Sequence, residues 1–342
     1  MEEAFPAARP RATKPSGQRN VATVTTTARL HFGFLDPSGR GKRPFGSFGL
    51  SLDRPRTKLV LRRAERSSLS GAEAMRAGRY LAAIAERCRI TQSYDLRLDE
   101  AIPPHAGLGS GTQLALAVGS AFAALEGLAL SPAAIAERLG RGARSGIGIG
   151  TFAQGGLVLD GGPGQGGSLP LLISRLPFPE PWRVILIFDE STAGLSGADE
   201  ISAFEALPAF PDAETAMLSQ RVQTALAAVE GGNFAGFCDQ IGALQTAMGA
   251  YFGALQGGVF VSRAVGEAVG WLRSQGLTGL GQSSWGPTGF AFVRGEKEGL
   301  TLLAQLQERG GAGLHFELAQ GRNEGAEIAL GHRLISAHPD SG

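Results

Sequence analysis

Arg29 and His31 stand two apart in the run Thr25-Thr26-Thr27-Ala28-Arg29-Leu30-His31-Phe32-Gly33. In a strand this spacing puts the guanidinium and the imidazole on one face and Leu30 and Phe32 on the other. A charge fixed in that way can orient an anion, and the imidazole can move a proton near neutral pH. The plain alternative is a half-exposed strand with two solvated side chains. Asp36, Arg40 and Arg43 follow among glycines 39, 41, 46 and 49, a loop that could close over a polyanion.

A second group is Pro103-Pro104-His105-Ala106-Gly107-Leu108-Gly109-Ser110-Gly111-Thr112-Gln113, running straight into the apolar stretch Leu114 to Leu125. Glycines allow close backbone approach, unpaired N–H groups at a helix start favour an anion, and the hydroxyls of Ser110 and Thr112 add donors or a metal ligand. Gly107, Gly109, Ser110, Gly111 and Thr112 therefore read as a phosphate cradle. The spacing is neither the dinucleotide G-x-G-x-x-G nor the Walker pattern with its lysine.

Two further loops carry polar chemistry. Gly279 to Phe292 offers the amide of Gln282, the hydroxyls of Ser283 and Ser284, and the aromatic face of Trp285 ahead of a strand. Arg141 to Thr151 sets Arg141, Arg144 and Ser145 beside a glycine run. Asp189 and Glu190 follow the apolar run Val184 to Phe188 like the acidic pair of phosphoribosyltransferases, but a strand with a solvated turn explains them better. His315, His332 and His338 have no ligand-like spacing.

The elements that must position these groups follow from periodicity and punctuation. Strands are expected at Val21–Phe32, Phe48–Leu52, Thr57–Arg62, Tyr94–Leu98, Gly156–Asp160, Val184–Phe188, Gly289–Arg294 and Leu314–Leu318. Helices are expected over Glu73–Cys88, the segment after Gly111, Ala133–Leu139, Ala213–Glu230, Phe234–Ala250, Arg263–Ser274 and Glu296–Arg309. Gly146 to Gly150 reads as too glycine-rich for a regular element. Without strict βαβ units the class is α+β. A leader over 1–19, expected to be disordered, precedes an N-terminal domain at 20–176 and a C-terminal domain at 177–337, with the boundary at the Pro177 to Pro181 cluster.

The 342 residues carry 32 basic and 31 acidic side chains, a net charge of +1, so no global field recommends nucleic acid or an acidic membrane as partner. Only four of the cations are lysines, which leaves arginine to do any anion recognition. Cys88 and Cys238 make no disulfide framework and no zinc motif. No apolar run suits a membrane span or a signal core, and a cytoplasmic enzyme is expected.

The cradle resembles the P-x-x-x-G-L-G-S-S-A motif of the GHMP small-molecule kinase superfamily. Together with Arg29-Leu30-His31-Phe32-Gly33, Arg141 to Gly150 and Gly281-Gln282-Ser283-Ser284-Trp285-Gly286-Pro287-Thr288, it resembles the β-ribofuranosylaminobenzene 5′-phosphate synthases of that superfamily, over most of Val21 to Ile335. The resemblance implies a GHMP-kinase-like two-domain fold and a step of methanopterin biosynthesis. In that step 4-aminobenzoate is joined to phosphoribosyl pyrophosphate with loss of CO₂ and pyrophosphate.

It also implies Mg²⁺ or another divalent cation, with Ser110 as a contact, and a homodimer. Arg29 and His31 are the implied catalytic pair, with Asp36, Arg43, Arg144, Ser145, Gln282, Ser283, Ser284 and Trp285 as substrate contacts. Many GHMP kinases carry S-G-x-D, whose acid assists phosphoryl transfer; here Ser145-Gly146-Ile147-Gly148 has glycine at that place. The competing functions are a kinase drawing its base from Asp160 or Asp189, and a non-catalytic ligand sensor on the same fold.

Overall fold

The computed structural model describes residues 20–40, 45–164, 167–194, 197–311 and 313–331. Arg43, the leader, His332 and His338 lie outside the described residues. The chain opens with two long antiparallel strands, β1 (Val21–Asp36) and β2 (Phe45–Ala64). The sequence pattern breaks β2 into two short strands; in the structure it is continuous but changes partner at that break. Its second half pairs with β4 (Ser93–Glu100), itself flanked by the short β3 (Ser68–Ser70). Its first half pairs with β5 (Leu157–Asp160), which is followed outward by β6 (Leu172–Leu176).

Helix α1 (Ala74–Arg87), α2 (Ser110–Glu126), α3 (Pro132–Arg138) and α4 (Ile147–Gln154) belong to this sheet. Burial covers nearly the whole circumference of α2, because the sheet packs on one side and the other three helices on the rest. Helix α4 corrects the expectation of an irregular Gly146 to Gly150. Each interior glycine costs a helix about 1 kcal/mol relative to alanine. Here Gly148 meets the Thr112 side chain and Gly150 meets Val158 so closely that a Cβ would stand 2.9 Å from either. Close packing therefore overrides propensity.

The second sheet is antiparallel, in the order β10 (Leu314–Gln320), β7 (Arg183–Asp189), β9 (Gly289–Val293) and β8 (Leu280–Gln282). Strand β7 is buried on both faces, which explains its unbroken apolar run. Ile185 and Ile187 pack toward α8 (Arg263–Ser274) and α9 (Glu296–Arg309). Val184 and Leu186 face a core shared with α6 (Asp212–Glu230), α7 (Phe234–Gln256) and the first sheet.

That core joins the two halves. Phe32 of β1 lies 5.6 Å from Phe290 and 5.9 Å from Phe292 of β9, ring centre to ring centre. The chain leaves the first sheet after β6 and enters the second at β7, and β11 (Glu327–Gly331) returns to pair with β1, so the last strand crosses back. Helix α5 (Gly197–Ala206) precedes α6.

Candidate active site

Strand β1 is irregular where its chemistry lies, with register shifts between Thr27 and Arg29 and between His31 and Gly33. The freed backbone groups bind loops instead. The Arg29 N–H donates to Leu108 O at 3.1 Å, and Ser284 N donates to His31 O at 3.0 Å. The Ser283 hydroxyl accepts from His31 N at 3.0 Å and donates to Gly107 O at 2.8 Å. Three segments far apart in the sequence are thus stapled together. Gly107 has φ +74°, and a Cβ there would collide with the carbonyls of Ser283 and Gly286, so close approach and conformation both require glycine.

These segments floor an open cleft of about 890 Å³. Arg29, His31, Thr112, Arg144, Ser145 and Ser284 of the expected site line it, and so do Arg76, Arg79 and Arg141. Five arginines face two glutamates, Glu73 and Glu200, so a protein of net charge +1 concentrates positive charge here. The guanidinium ends of Arg76 and Arg141 lie directly over Gly111, in the first turn of α2, and the Arg29 side chain lies over Gly109, 3.2 Å from where a Cβ would sit. The start of α2 supplies further positive potential of its own. Like charges gathered in this way call for an anion between them.

Hydrogen bonding points the same way. Among the described residues four buried side-chain polar atoms have no partner, and three of them belong to this cleft: Arg29 Nε, Arg141 Nε and His31 Nδ1. Buried polar atoms are nearly always satisfied, so such a concentration marks a ligand site. Arg29 Nη1 donates to Gly107 O at 2.5 Å, and burial lowers the guanidinium pKa to about 10, partly offset by the charge of Glu200. It therefore stays cationic at neutral pH.

His31 behaves differently. Burial first, and the Arg29 charge second, push its pKa well below the ordinary 6.5. Its Nε2 lies 3.2 Å from Ser145 Oγ, which is 2.6 Å from Ser47 Oγ, which donates to the Asp160 carboxylate. Burial raises the Asp160 pKa against hydrogen bonds from Ser47, Gly162 N and Gly146 N.

The remaining expected residues are placed elsewhere. Asp36 is buried, and its Oδ1 accepts from Ser38 N and Ser38 Oγ, closing the turn after β1. Ser283 spends its hydroxyl as the staple already described. Gln282 is a strut: its Oε1 accepts from Val261 N and its backbone N–H donates to Gln245 Oε1, both at 2.8 Å. Trp285 is 4% exposed and packs on Phe204 and Phe252, so it lies in the interior and not on the cleft wall. Arg144 does line the cleft, where it pairs with Glu200 at 3.0 Å and stacks over Phe204 at 4.5 Å. Asp189 accepts from Ser191, Thr192 and Ser262; burial raises its pKa, but these bonds outweigh it and hold the value at about 2. Asp189 thus caps a turn.

The GHMP kinases N-terminal domain model matches residues 74–156, the span that holds α1, the cradle and α4. Solved structures agree over nearly the whole chain. Homoserine kinase from Cytophaga hutchinsonii superposes with a TM-score of 0.66 at 16% identity, covering 93% of this chain and all of that one. Mevalonate diphosphate decarboxylase from Staphylococcus aureus gives 0.64 at 14% identity, over 91% and 98%. The chain has the GHMP kinase fold, with a GHMP kinases N-terminal domain in its first half. Within this GHMP-fold group it is 28% identical over 329 residues to β-ribofuranosylphenol 5′-phosphate synthase of Methanothermobacter thermautotrophicus, covering 89% of this chain and 97% of that protein. The Archaeoglobus fulgidus protein of the same name is 36% identical over 196 residues, 53% of this chain and 61% of its own length. The chain is a homologue of these synthases.

Gly148 sets it apart from a GHMP kinase with S-G-x-D. A Cβ at 148 would lie 2.9 Å from Thr112 Cγ2 and 3.2 Å from Thr112 Cβ. Gly148→Asp is therefore expected to lower the melting temperature, since overpacking costs about 1–3 kcal/mol, and to gain no ATP-dependent phosphorylation of alcohols. A stable variant that phosphorylates homoserine or mevalonate would show that only the acid was missing.

Proposed function

We propose that this enzyme joins a para-substituted benzoate to phosphoribosyl pyrophosphate, forming a carbon–carbon riboside phosphate and releasing CO₂ and pyrophosphate. The single observation that carries the reading is the set of three unpartnered buried polar atoms, on Arg29, His31 and Arg141, beside a helix start overlaid by guanidinium groups. In this reading Arg76, Arg141 and the first turn of α2 hold the pyrophosphate as its oxygen takes the electron pair of the breaking C–O bond.

The ring carbon bearing the carboxylate attacks the anomeric carbon; the ring–carboxylate bond then breaks and returns its electrons to the ring. No net proton is exchanged. Arg29 orients the carboxylate until CO₂ departs. His31, kept neutral, adds no positive charge beside the ribose carbon on which positive charge develops.

A divalent cation would neutralise charge on the leaving pyrophosphate. Among the described residues no three His, Cys, Asp or Glu side chains gather as a cage. The donors present fit Mg²⁺, which keeps its waters and binds through substrate phosphates with one or two protein oxygens. Ser110, at the start of α2, is the group that would hold it. Among the described residues no helix is long and apolar enough to cross a membrane; a cytoplasmic homodimer completes the proposal, its dimeric state to be read by light scattering.

The sequence resemblance puts an amine on the acceptor ring, whereas the homologues' name describes a phenol riboside. Incubating the enzyme with phosphoribosyl pyrophosphate and Mg²⁺, and with 4-hydroxybenzoate or 4-aminobenzoate, and weighing the products by mass spectrometry decides the acceptor. A riboside phosphate lacking the carboxyl group is expected. ATP-dependent phosphorylation of homoserine, mevalonate or a polyol, with no use of phosphoribosyl pyrophosphate, would replace this reading by a kinase.

The pH profile is a second test. Activity should stay level from about pH 8 through the ordinary histidine value of ~6.5 and fall only at more acid pH, where protonated His31 would repel the developing cation. Below ~6.5 the unfolded chain binds a proton that folded His31 refuses, so stability also drops there as pH falls. An activity inflection at or above 6.5 would show that His31 titrates freely.

A further inference from the structure

A second cavity, of about 220 Å³, lies against the other side of β1 residues His31 and Phe34. Its surface is mostly apolar, with Met248, Phe252 and Trp285 among its walls and Val259 at its exposed mouth. It shares His31, Phe34 and Ser284 with the arginine cleft, so the apolar chamber and the cationic one adjoin at a common wall formed by these residues. Ser284 holds that wall at φ +55°, a conformation that costs a non-glycine residue energy, and its N–H donates to His31 O. The His31 and Phe34 rings, 4.7 Å apart, complete it.

We infer that this apolar cavity is the acceptor subsite, taking the benzoate ring while the arginine cleft takes the phosphoribosyl group. The inference rests on the synthase reading and adds to it the place of the second substrate. An apolar cavity of ~150 Å³ is already enough for benzene, and this one leaves room for one substituted ring and little more. The cleft cannot serve the ring as well, because its lining is charged and open. With the ribose in the cleft where the two chambers meet, the carboxylate-bearing carbon faces that junction at His31 and Ser284, toward Arg29 on the cleft side. The para substituent then points into the cavity, which Gln245, Gln256 and Gln282 also line, their amides already tied to Phe32 O, Val259 O and Val261 N.

Val259 is 54% exposed, so enlarging it obstructs the mouth without disturbing a core. Val259→Trp is expected to raise the KM for the benzoate at least ~10-fold and to leave the KM for phosphoribosyl pyrophosphate within ~2-fold, with an unchanged melting temperature. An unchanged benzoate KM in a folded Val259→Trp, or a rise confined to phosphoribosyl pyrophosphate, would overturn the assignment while leaving the reaction intact. If the wild type shows no turnover, the reaction assignment fails by itself. Calorimetric binding of 4-hydroxybenzoate in the presence of pyrophosphate and Mg²⁺ then decides the cavity: heat in the wild type and none in Val259→Trp supports it, and equal heat or no heat in both refutes it.

Discussion

Arg29→Gln is expected to fold normally and to lose most of its turnover, roughly 30- to 1000-fold, because a charge-assisted contact made in the transition state is worth on the order of 2–4 kcal/mol. Glutamine keeps a donor that can reach toward Gly107 O and removes the charge. It also removes the unpartnered buried Nε, so the melting temperature should hardly move. With a pKa of about 10 the guanidinium is charged throughout the working pH range, and the loss should therefore be the same at pH 7 and pH 8. Full activity in a folded variant would make this stretch of β1 scaffold only.

The second large effect belongs to Arg76 and Arg141, whose guanidinium groups converge over Gly111. Each single alanine variant should raise the KM for phosphoribosyl pyrophosphate by about 10- to 100-fold, as expected for hydrogen bonds to a charged group worth ~1.5–3 kcal/mol. The double variant should fall short of the product of the two, because both hold one anion. Stability should respond in the opposite sense. Without substrate the two cations repel each other and the positive helix end, so removing either is expected to hold or raise the melting temperature. The contrary result is an unchanged KM, or a melting temperature that falls by many degrees as it would for a structural ion pair; Arg76 also pairs with Glu73 at 3.2 Å, which makes that comparison informative.

Local signals carried the parts of this molecule that are local. The period of two around Arg29 and His31, the glycine cradle and the turn chemistry beyond Gly279 all predict where chain segments approach a ligand, and the structure brings them to one crevice. What escaped was non-local. Arg76 and Arg79 fall in the expected helix Glu73–Cys88, which carries no site residue in the sequence reading, although their spacing of three and the near absence of lysine were available signals. The line from His31 through Ser145 and Ser47 to Asp160 joins four unlinked positions, and only the fold assembles it.

Composition misled at Gly146 to Gly150, where packing against Thr112 and Val158 pays the helical cost of glycine. Trp285 is absent from the wall of the arginine cleft, because the aromatic cluster of Phe204 and Phe252 buries it; it lines the neighbouring apolar cavity instead. The returning strand β11 had no nearby partner in sequence, since its mate β1 lies at the other end of the chain.

The most direct measurement uses purified protein, Mg²⁺, phosphoribosyl pyrophosphate and carboxyl-labelled 4-hydroxybenzoate or 4-aminobenzoate, with labelled CO₂ and pyrophosphate counted together. The account predicts that the two are released in equal amounts, that both depend on each substrate, and that both are nearly abolished in Arg29→Gln. Pyrophosphate without labelled CO₂, or neither product alongside ATP-dependent phosphorylation of an alcohol, would contradict it.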